Sequence, residues 1–187
     1  MPVGLTYSVR ETNAGTLITD YTLTTDSTTT GTKTIVKGVT GTIDLSNKYT
    51  QDKGALKIKK SVTLNGAATD TTQVDGTYSF SITSAEGVTP ATDATLEITI
   101  TNGVAVSATL DGEEIAIGED GYVKIADLPV GEYTVEEDTA GLAEKYITLT
   151  STNPQTVTVE KDNEEDIPTA EFVNNKDVGS LKLTKTW

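Results

Sequence analysis

Three polar side chains fall on strand faces that are otherwise apolar, and their types are those of an amide-forming reaction. Successive residues of a strand face opposite sides, so i, i+2 and i+4 share one. Leu56 and Ile58 define a core face, and Lys60 falls on it while Lys57 and Lys59 point outward. Tyr133 and Val135 define a second face, which takes Glu137 and leaves Glu136 outside. In Phe172-Val173-Asn174 the aromatic ring and the carboxamide share a side. Any one of these positions reads equally well as a strand end emerging into solvent. Three together are best accommodated if they meet in the core, because a buried polar group without a partner is costly.

The chemistry of such a meeting follows from loss of water. Desolvation lowers the pKa of Lys60, leaving an amine with a free lone pair, and favours the neutral acid of Glu137. The acid then hydrogen-bonds and polarises the Asn174 carbonyl, the amine attacks its carbon, Glu137 shuttles protons, and ammonia leaves. The product is a neutral amide. Groups held in contact gain the large effective concentration of intramolecular reactions. The event occurs once per domain, so the domain is its own substrate and not an enzyme.

The elements that must position these residues are strands. Tyr78–Thr83, Leu96–Ile100, Tyr122–Ile125, Tyr133–Glu137 and Tyr146–Thr150 alternate apolar and polar residues and are rich in Thr, Val, Ile and Tyr. Asn65-Gly66, Asp75-Gly76, Asn102-Gly103, Asp111-Gly112 and Asp120-Gly121 supply tight-turn dipeptides between them. No helical period lasts three turns, and the spacing of turns points to an all-β sandwich.

The parity of the polar residues also repeats along the chain. Met1-Pro2-Val3-Gly4 with Tyr7-Ser8-Val9-Arg10-Glu11 echoes Leu128-Pro129-Val130-Gly131 with Tyr133-Thr134-Val135-Glu136-Glu137. Ile43–Lys48 echoes Glu171–Lys176, with Asn47 opposite Asn174, and Gly54–Lys60 echoes Gly179–Lys185. A period of about 125 residues relates all three pairs. Residues 53–177 then form a complete repeat, 1–52 the C-terminal half of a preceding one, and 178–187 the first strand of a following one. The flanks cannot complete one another, since both lack the counterpart of roughly residues 61–127. Met1 is accordingly read as the edge of a window on a longer array; no signal peptide opens the chain.

Leu-x-Ile-x-Lys at 56–60, Leu-Pro-Val-Gly-x-Tyr-x-Val-x-Glu at 128–137 and Phe-x-Asn at 172–174 resemble the isopeptide-forming domains of Gram-positive pilus shaft subunits, and are similar to the B-type repeats of collagen adhesins. The resemblance covers residues 54–177 and both flanks. It implies tandem immunoglobulin-like β-sandwich domains of the reverse, B-type arrangement, with the Lys on the first strand, the Asn on the last and the Glu between them as catalyst. Those residues are Lys60, Asn174 and Glu137 here, and Glu11, Asn47 and Lys185 for the neighbouring domains. It further implies a structural fibre segment on the outside of a bacterial cell, with neighbouring copies of the repeat as partners. Residue 45 is Leu where the family usually has an aromatic. A pilin motif of the Tyr-Pro-Lys type and a C-terminal sorting signal are both lacking.

Composition bounds the rest. Of 187 residues, 35% are hydrophobic and 5% aromatic, a thin supply that suits narrow sandwiches better than a deep enzyme pocket. A formal charge of −14 argues against nucleic acid and anionic membrane as partners. Cysteine and histidine are both absent, which excludes a Ser-His-Asp triad, a thiolate or imidazole metal site and any disulfide. No cofactor is called for, and no apolar run reaches membrane-spanning length. An adhesin module presenting loops to a host protein or glycan is the alternative reading. Carboxylate pairs such as Glu113-Glu114, Glu119-Asp120 and Glu136-Glu137 point to opposite faces of a strand and make a glycosidase a poor third. The acidic run Asp162–Asp166 lacks the spacing of a calcium loop and reads as a solvated connection. Thr24–Thr34 reads as a plain polar hairpin in preference to an O-glycosylated stretch, and Trp187 either as a residue at a domain junction or as one exposed by the cut.

Overall fold

The computed structural model describes residues 1–68 and 71–186, so Trp187 lies outside the described residues. The chain divides into two compact units, Met1–Asp52 and Lys53–Trp187. Among the described residues there is no α-helix, only strands and three short 3-10 turns. No helix is long and apolar enough to cross a membrane.

The smaller unit holds β1 (Thr6–Arg10), β2 (Tyr21–Leu23), β3 (Thr30–Thr34) and β4 (Tyr49–Gln51). β1 pairs antiparallel with β3, and β2 antiparallel with β4. Thr24–Thr34 is therefore not a hairpin: its β3 portion pairs back onto β1, and Thr28 bridges Ser46. A run of threonines carries no turn chemistry that would fold it onto itself, so pairing is settled by distant strands.

The larger unit holds β5 (Lys53–Leu64), β6 (Ala67–Ala68), β7 (Gly76–Ser84), β8 (Asp93–Thr101), β9 (Val104–Leu110), β10 (Glu113–Ile115), β11 (Tyr122–Pro129), β12 (Gly131–Glu137), β13 (Ile147–Leu149), β14 (Gln155–Val159) and β15 (Thr169–Lys176). One sheet has the order β10-β9-β8-β7-β12-β14; the other has β11-β5-β15-β13, with β6 on β5. All pairs are antiparallel except β5 with β15, the first and last strands, which run parallel. Asn65-Gly66, Asn102-Gly103 and Asp111-Gly112 have positive φ at both residues, the conformation of the two-residue hairpin turn that matches strand twist. Asp75-Gly76 instead ends a 3-10 turn at Thr72–Val74 and starts β7. Tyr146 lies outside its expected strand: with φ 56° it closes the turn Ala143–Lys145 and is 80% exposed.

The two sheets enclose one core. Leu56, Ile58, Val62, Val123, Ile125, Ala170 and Phe172 come from one face, and Tyr78, Phe80, Ile82, Leu96, Ile98, Tyr133, Val135 and Val159 from the other. That is the two-layer solution by which sheets with one apolar face exclude water. The Phe80 and Phe172 rings meet across the layers at 5.1 Å between centroids, tilted by 53°. Gly54, at the start of β5, is held so close to the Glu160 carbonyl that a Cβ there would collide with backbone. The Asn163 side chain clamps the neighbouring Ala55 peptide, accepting from its N–H at 2.8 Å and donating to its carbonyl at 2.9 Å. Residues 178–186 form no strand, and Leu181 and Leu183 are 95% and 93% exposed. Alternation gives this segment a strand pattern, but a strand needs a neighbour to pair with.

Truncating the buried aromatic pair tests the sandwich. Phe172→Ala is expected to lower the unfolding free energy by about 3–5 kcal/mol, read from the midpoint of urea denaturation. A loss below about 1 kcal/mol would show that the layers do not close on this ring.

Candidate functional site

Lys60 and Asn174 lie on neighbouring strands of one sheet, and Glu137 on the sheet that faces them. The parallel register sets Phe172 opposite Lys60 and Asn174 opposite Val62, which makes Lys60 and Asn174 diagonal neighbours on the core face. Across the core, β12 pairs with β7 so that Glu137 sits opposite Phe80. The two phenylalanines that pack together are therefore the register partners of Lys60 and Glu137, and they wall the polar group off from water.

All three side chains are buried: Lys60 is 3% exposed, Glu137 1% and Asn174 0%. The Lys60 Nζ donates to both carboxylate oxygens of Glu137, at 2.8 Å and 2.7 Å. Asn174 Nδ2 donates to Glu137 Oε1 at 2.6 Å. One oxygen of Glu137 thus receives the amine and the carboxamide together. Asn174 Oδ1 is buried without a hydrogen-bond partner, a costly state for a carbonyl oxygen. The Lys60 Nζ also stands 4.7 Å above the centre of the Tyr78 ring, whose hydroxyl donates to the Val74 carbonyl at 2.7 Å. The Glu137 main chain is held in both directions by Asn153, which accepts from its N–H at 2.8 Å and donates to its carbonyl at 3.0 Å.

Burial dominates the electrostatics. Loss of water pulls the Lys60 amine down from an ordinary 10.5 to about 8, against the upward pull of Glu137 through its hydrogen bond and charge. The neutral fraction of the amine near pH 7 is thereby raised roughly 300-fold. Tyr78 is pushed up to about 12, first by burial and then by the charges of Glu137 and Asp75. Its ring therefore stays neutral beneath the amine.

In the smaller unit the same two residue types meet. Asn47 Nδ2 donates to both oxygens of Glu11, each at 3.0 Å, with both residues half-buried. Asn47 Oδ1, like Asn174 Oδ1, is buried without a partner. Lys185 lies on the exposed segment 179–186, outside any strand.

Residues 54–176 match the profile of a family described as a domain of unknown function, DUF7601. The chain belongs to that family. No curated protein matches it. Among solved structures the DUF7601 chain is similar to GBS52, the minor pilin of Streptococcus agalactiae, at 19% identity and a TM-score of 0.36, over 91% of this chain and 66% of that one. It is similar to a streptococcal ancillary pilin at 21% identity and a TM-score of 0.34, over 85% of this chain and 39% of the other. The major pilin from Streptococcus pyogenes aligns at 17% identity and a TM-score of 0.31, over 95% and 66%. The chain spans just under two thirds of the length of the first and about two fifths of the second.

Several contributors to the DUF7601 site carry no signal of their own in the sequence. Asn153 grips Glu137 from 16 residues away, and nothing in Thr152-Asn153-Pro154 distinguishes it from a loop asparagine. Tyr78 is one more apolar-face residue by alternation, and its place beneath the amine depends on how the sheets face each other. The acidic run contributes Asn163, a backbone clamp, and Glu164, which pairs with Lys124 at 2.5 Å. Among the described residues no cluster of acidic side chains is arranged to hold a metal.

The shifted groups set a pH profile for a chain in which Lys60 is still an amine, as in Asn174→Ala. Folded Lys60 releases its proton near pH 8 and the unfolded chain near 10.5, so between them the unfolded state binds more protons and stability rises with pH. Tyr78 has the opposite sign: the folded state keeps its proton to about pH 12 and the unfolded state to about 10, so stability falls above pH 10. Urea midpoints of Asn174→Ala are expected to climb from pH 8 and turn over near pH 10. A profile with no rise above pH 8 would show an amine that keeps its proton in the core.

Proposed function

We propose that residues 53–177 are an immunoglobulin-like structural domain of an extracellular bacterial fibre, closed by a covalent Lys60–Asn174 bond that it forms itself with Glu137 as catalyst. The observation that carries this reading is the buried carboxylate that holds an amine and a carboxamide on the same oxygen. A proton passes from the Lys60 ammonium to Glu137, leaving neutral amine and neutral acid. Turning the Asn174 carboxamide half over brings Oδ1, otherwise unpaired, against that acid, which polarises the carbonyl. The Nζ–Cγ bond forms, Glu137 passes its proton to Nδ2 and takes a second one from Nζ, the Cγ–Nδ2 bond breaks, and ammonia leaves with Glu137 in its acid form. A buried ion pair is at best weakly stabilising; the amide product carries no charge and needs no such pairing.

The order of the three motifs along the chain, a surface with net charge −14 and the lack of any cysteine to form a disulfide all support a self-stapled module of this kind. The staple joins the first strand to the last and closes a loop of more than a hundred residues. By analogy with a disulfide it stabilises by roughly 4–5 kcal/mol through the unfolded state, and reductants leave it intact. Tandem copies of such domains, with repeats before and after residues 53–177, would give a stiff stalk; the partners are neighbouring repeats. No enzymatic turnover is needed.

Intact mass tests the bond directly. The wild-type chain is expected to weigh one ammonia less than its sequence, while Lys60→Ala, Asn174→Ala and Glu137→Ala each match theirs. Asn174→Ala keeps the Lys60–Glu137 pair, so its fall in melting temperature reports the bond itself and should be roughly 15 °C or more. A wild-type chain at full calculated mass sinks the proposal.

A further inference from the structure

Glu137 and Asn174 stand on different sheets, and one short connection reaches the main chain beside both. β13 belongs to the sheet of Asn174 and β14 to the sheet of Glu137, so residues 150–154 cross from one layer to the other. β14 pairs with β12 as far as Val135 opposite Gln155, and continuing that register sets Glu137 opposite Asn153. Backbone pairing has stopped there, and the Asn153 carboxamide takes its place. Its Oδ1 accepts from the Glu137 N–H at 2.8 Å, and its Nδ2 donates to the Glu137 carbonyl at 3.0 Å. Glu137 is the last residue of its strand and only 1% exposed. Without this grip, two of its main-chain groups would be left unpaired in the interior.

The same connection repeats the device on β15. β13 gives out at Leu149, opposite Asn174. Past it, the Thr150 N–H donates to the Val173 carbonyl at 2.8 Å, and Ser151 Oγ accepts from the Val173 N–H at 3.0 Å. Gln155 then holds Glu171 in both directions, its Oε1 accepting from the N–H at 3.1 Å and its Nε2 donating to the carbonyl at 2.5 Å. Asn153 and Gln155, two residues apart, thus fasten β12 and β15 to one short stretch of chain. The approach of Asn174 Nδ2 to Glu137 Oε1, 2.6 Å, is set through that stretch as well as by packing of the core.

We infer that Asn153 and Gln155 are positioning residues for the Lys60–Asn174 bond, holding acid and carboxamide at reacting distance from the segment that joins the two sheets. The inference rests on the amide-forming chemistry of the proposed function and adds what sets its rate. Each residue acts through the main chain of a strand. An intramolecular reaction owes its speed to near-attack geometry, and a displacement of about 1 Å costs on the order of 100-fold. Asn153 has the larger influence, because the residue it holds is Glu137 itself. Gln155 holds Glu171, three residues before Asn174, and Val173 between them is also held by Thr150 and Ser151.

The rate of ammonia loss tests it, followed by intact mass over time after cell-free synthesis of the full chain. Asn153→Ala is expected to react roughly 10–100-fold more slowly than wild type, and Gln155→Ala more slowly by a smaller factor. Asn153→Asp, which still accepts from the Glu137 N–H but cannot donate to its carbonyl, recovers part of the rate. Val159→Ala removes a fully buried side chain at the far end of β14, opposite Gly131, and lowers stability without slowing the reaction. Each substitution is also placed in the unreactive Asn174→Ala chain, where its urea midpoint shows that the variant is folded and what it costs. If Asn153→Ala fails to fold there, Asn153→Asp carries the comparison. Wild-type rates in the folded Asn153 variants, or an equal slowing by Val159→Ala, would overturn the inference while leaving the bond in place. A wild-type chain that never loses ammonia removes the bond itself, and the inference with it.

Discussion

An ammonium group gives up several kcal/mol of hydration when it leaves water, and in the larger unit the fold places one between two sheets. Lys60 sits there because it follows Leu56 and Ile58 on an alternating strand. Glu137 reaches it from the opposite layer, held at its main chain by Asn153, and Phe80 and Phe172 close off solvent on the flanks. Each of these placements would be a defect without the others. Together they convert the cost of burial into a lowered amine pKa and a carboxamide held at contact distance.

Much of this was legible in the sequence, because a strand's period of two is strict enough for a single misplaced polar residue to show. Lys60, Glu137 and Asn174 betrayed themselves by parity alone, and the same rule put Glu136 and Lys59 outside. The hairpin turns at Asn65-Gly66, Asn102-Gly103 and Asp111-Gly112 were readable because two successive positive φ angles select these residues. What parity could not supply was pairing between distant strands. The return of β3 onto β1, the grip of Asn153 on Glu137 and the position of the Tyr78 ring all depend on long-range register. Tyr146 shows the limit from the other side, an aromatic at the head of an apolar run that instead adopts a left-handed turn.

Comparison of the two units separates what assembles a reactive group from what isolates it. Glu11 and Asn47 meet with the same polarity as Glu137 and Asn174, so four strands are enough to bring acid and carboxamide together. They are not enough to bury them. The smaller unit leaves both residues half-exposed, whereas the larger adds β5 and β7 on either side and reduces exposure to 1% or less.

The parallel run of β5 beside β15 also governs where the polypeptide comes and goes. Had the outermost strands in sequence been antiparallel, the chain would return to the edge of the sheet from which it started. Instead it comes in at one rim and departs from the other, separated by the span of a twelve-residue strand, about 40 Å. The points at which the polypeptide enters and leaves this unit are therefore held apart by the length of its first strand.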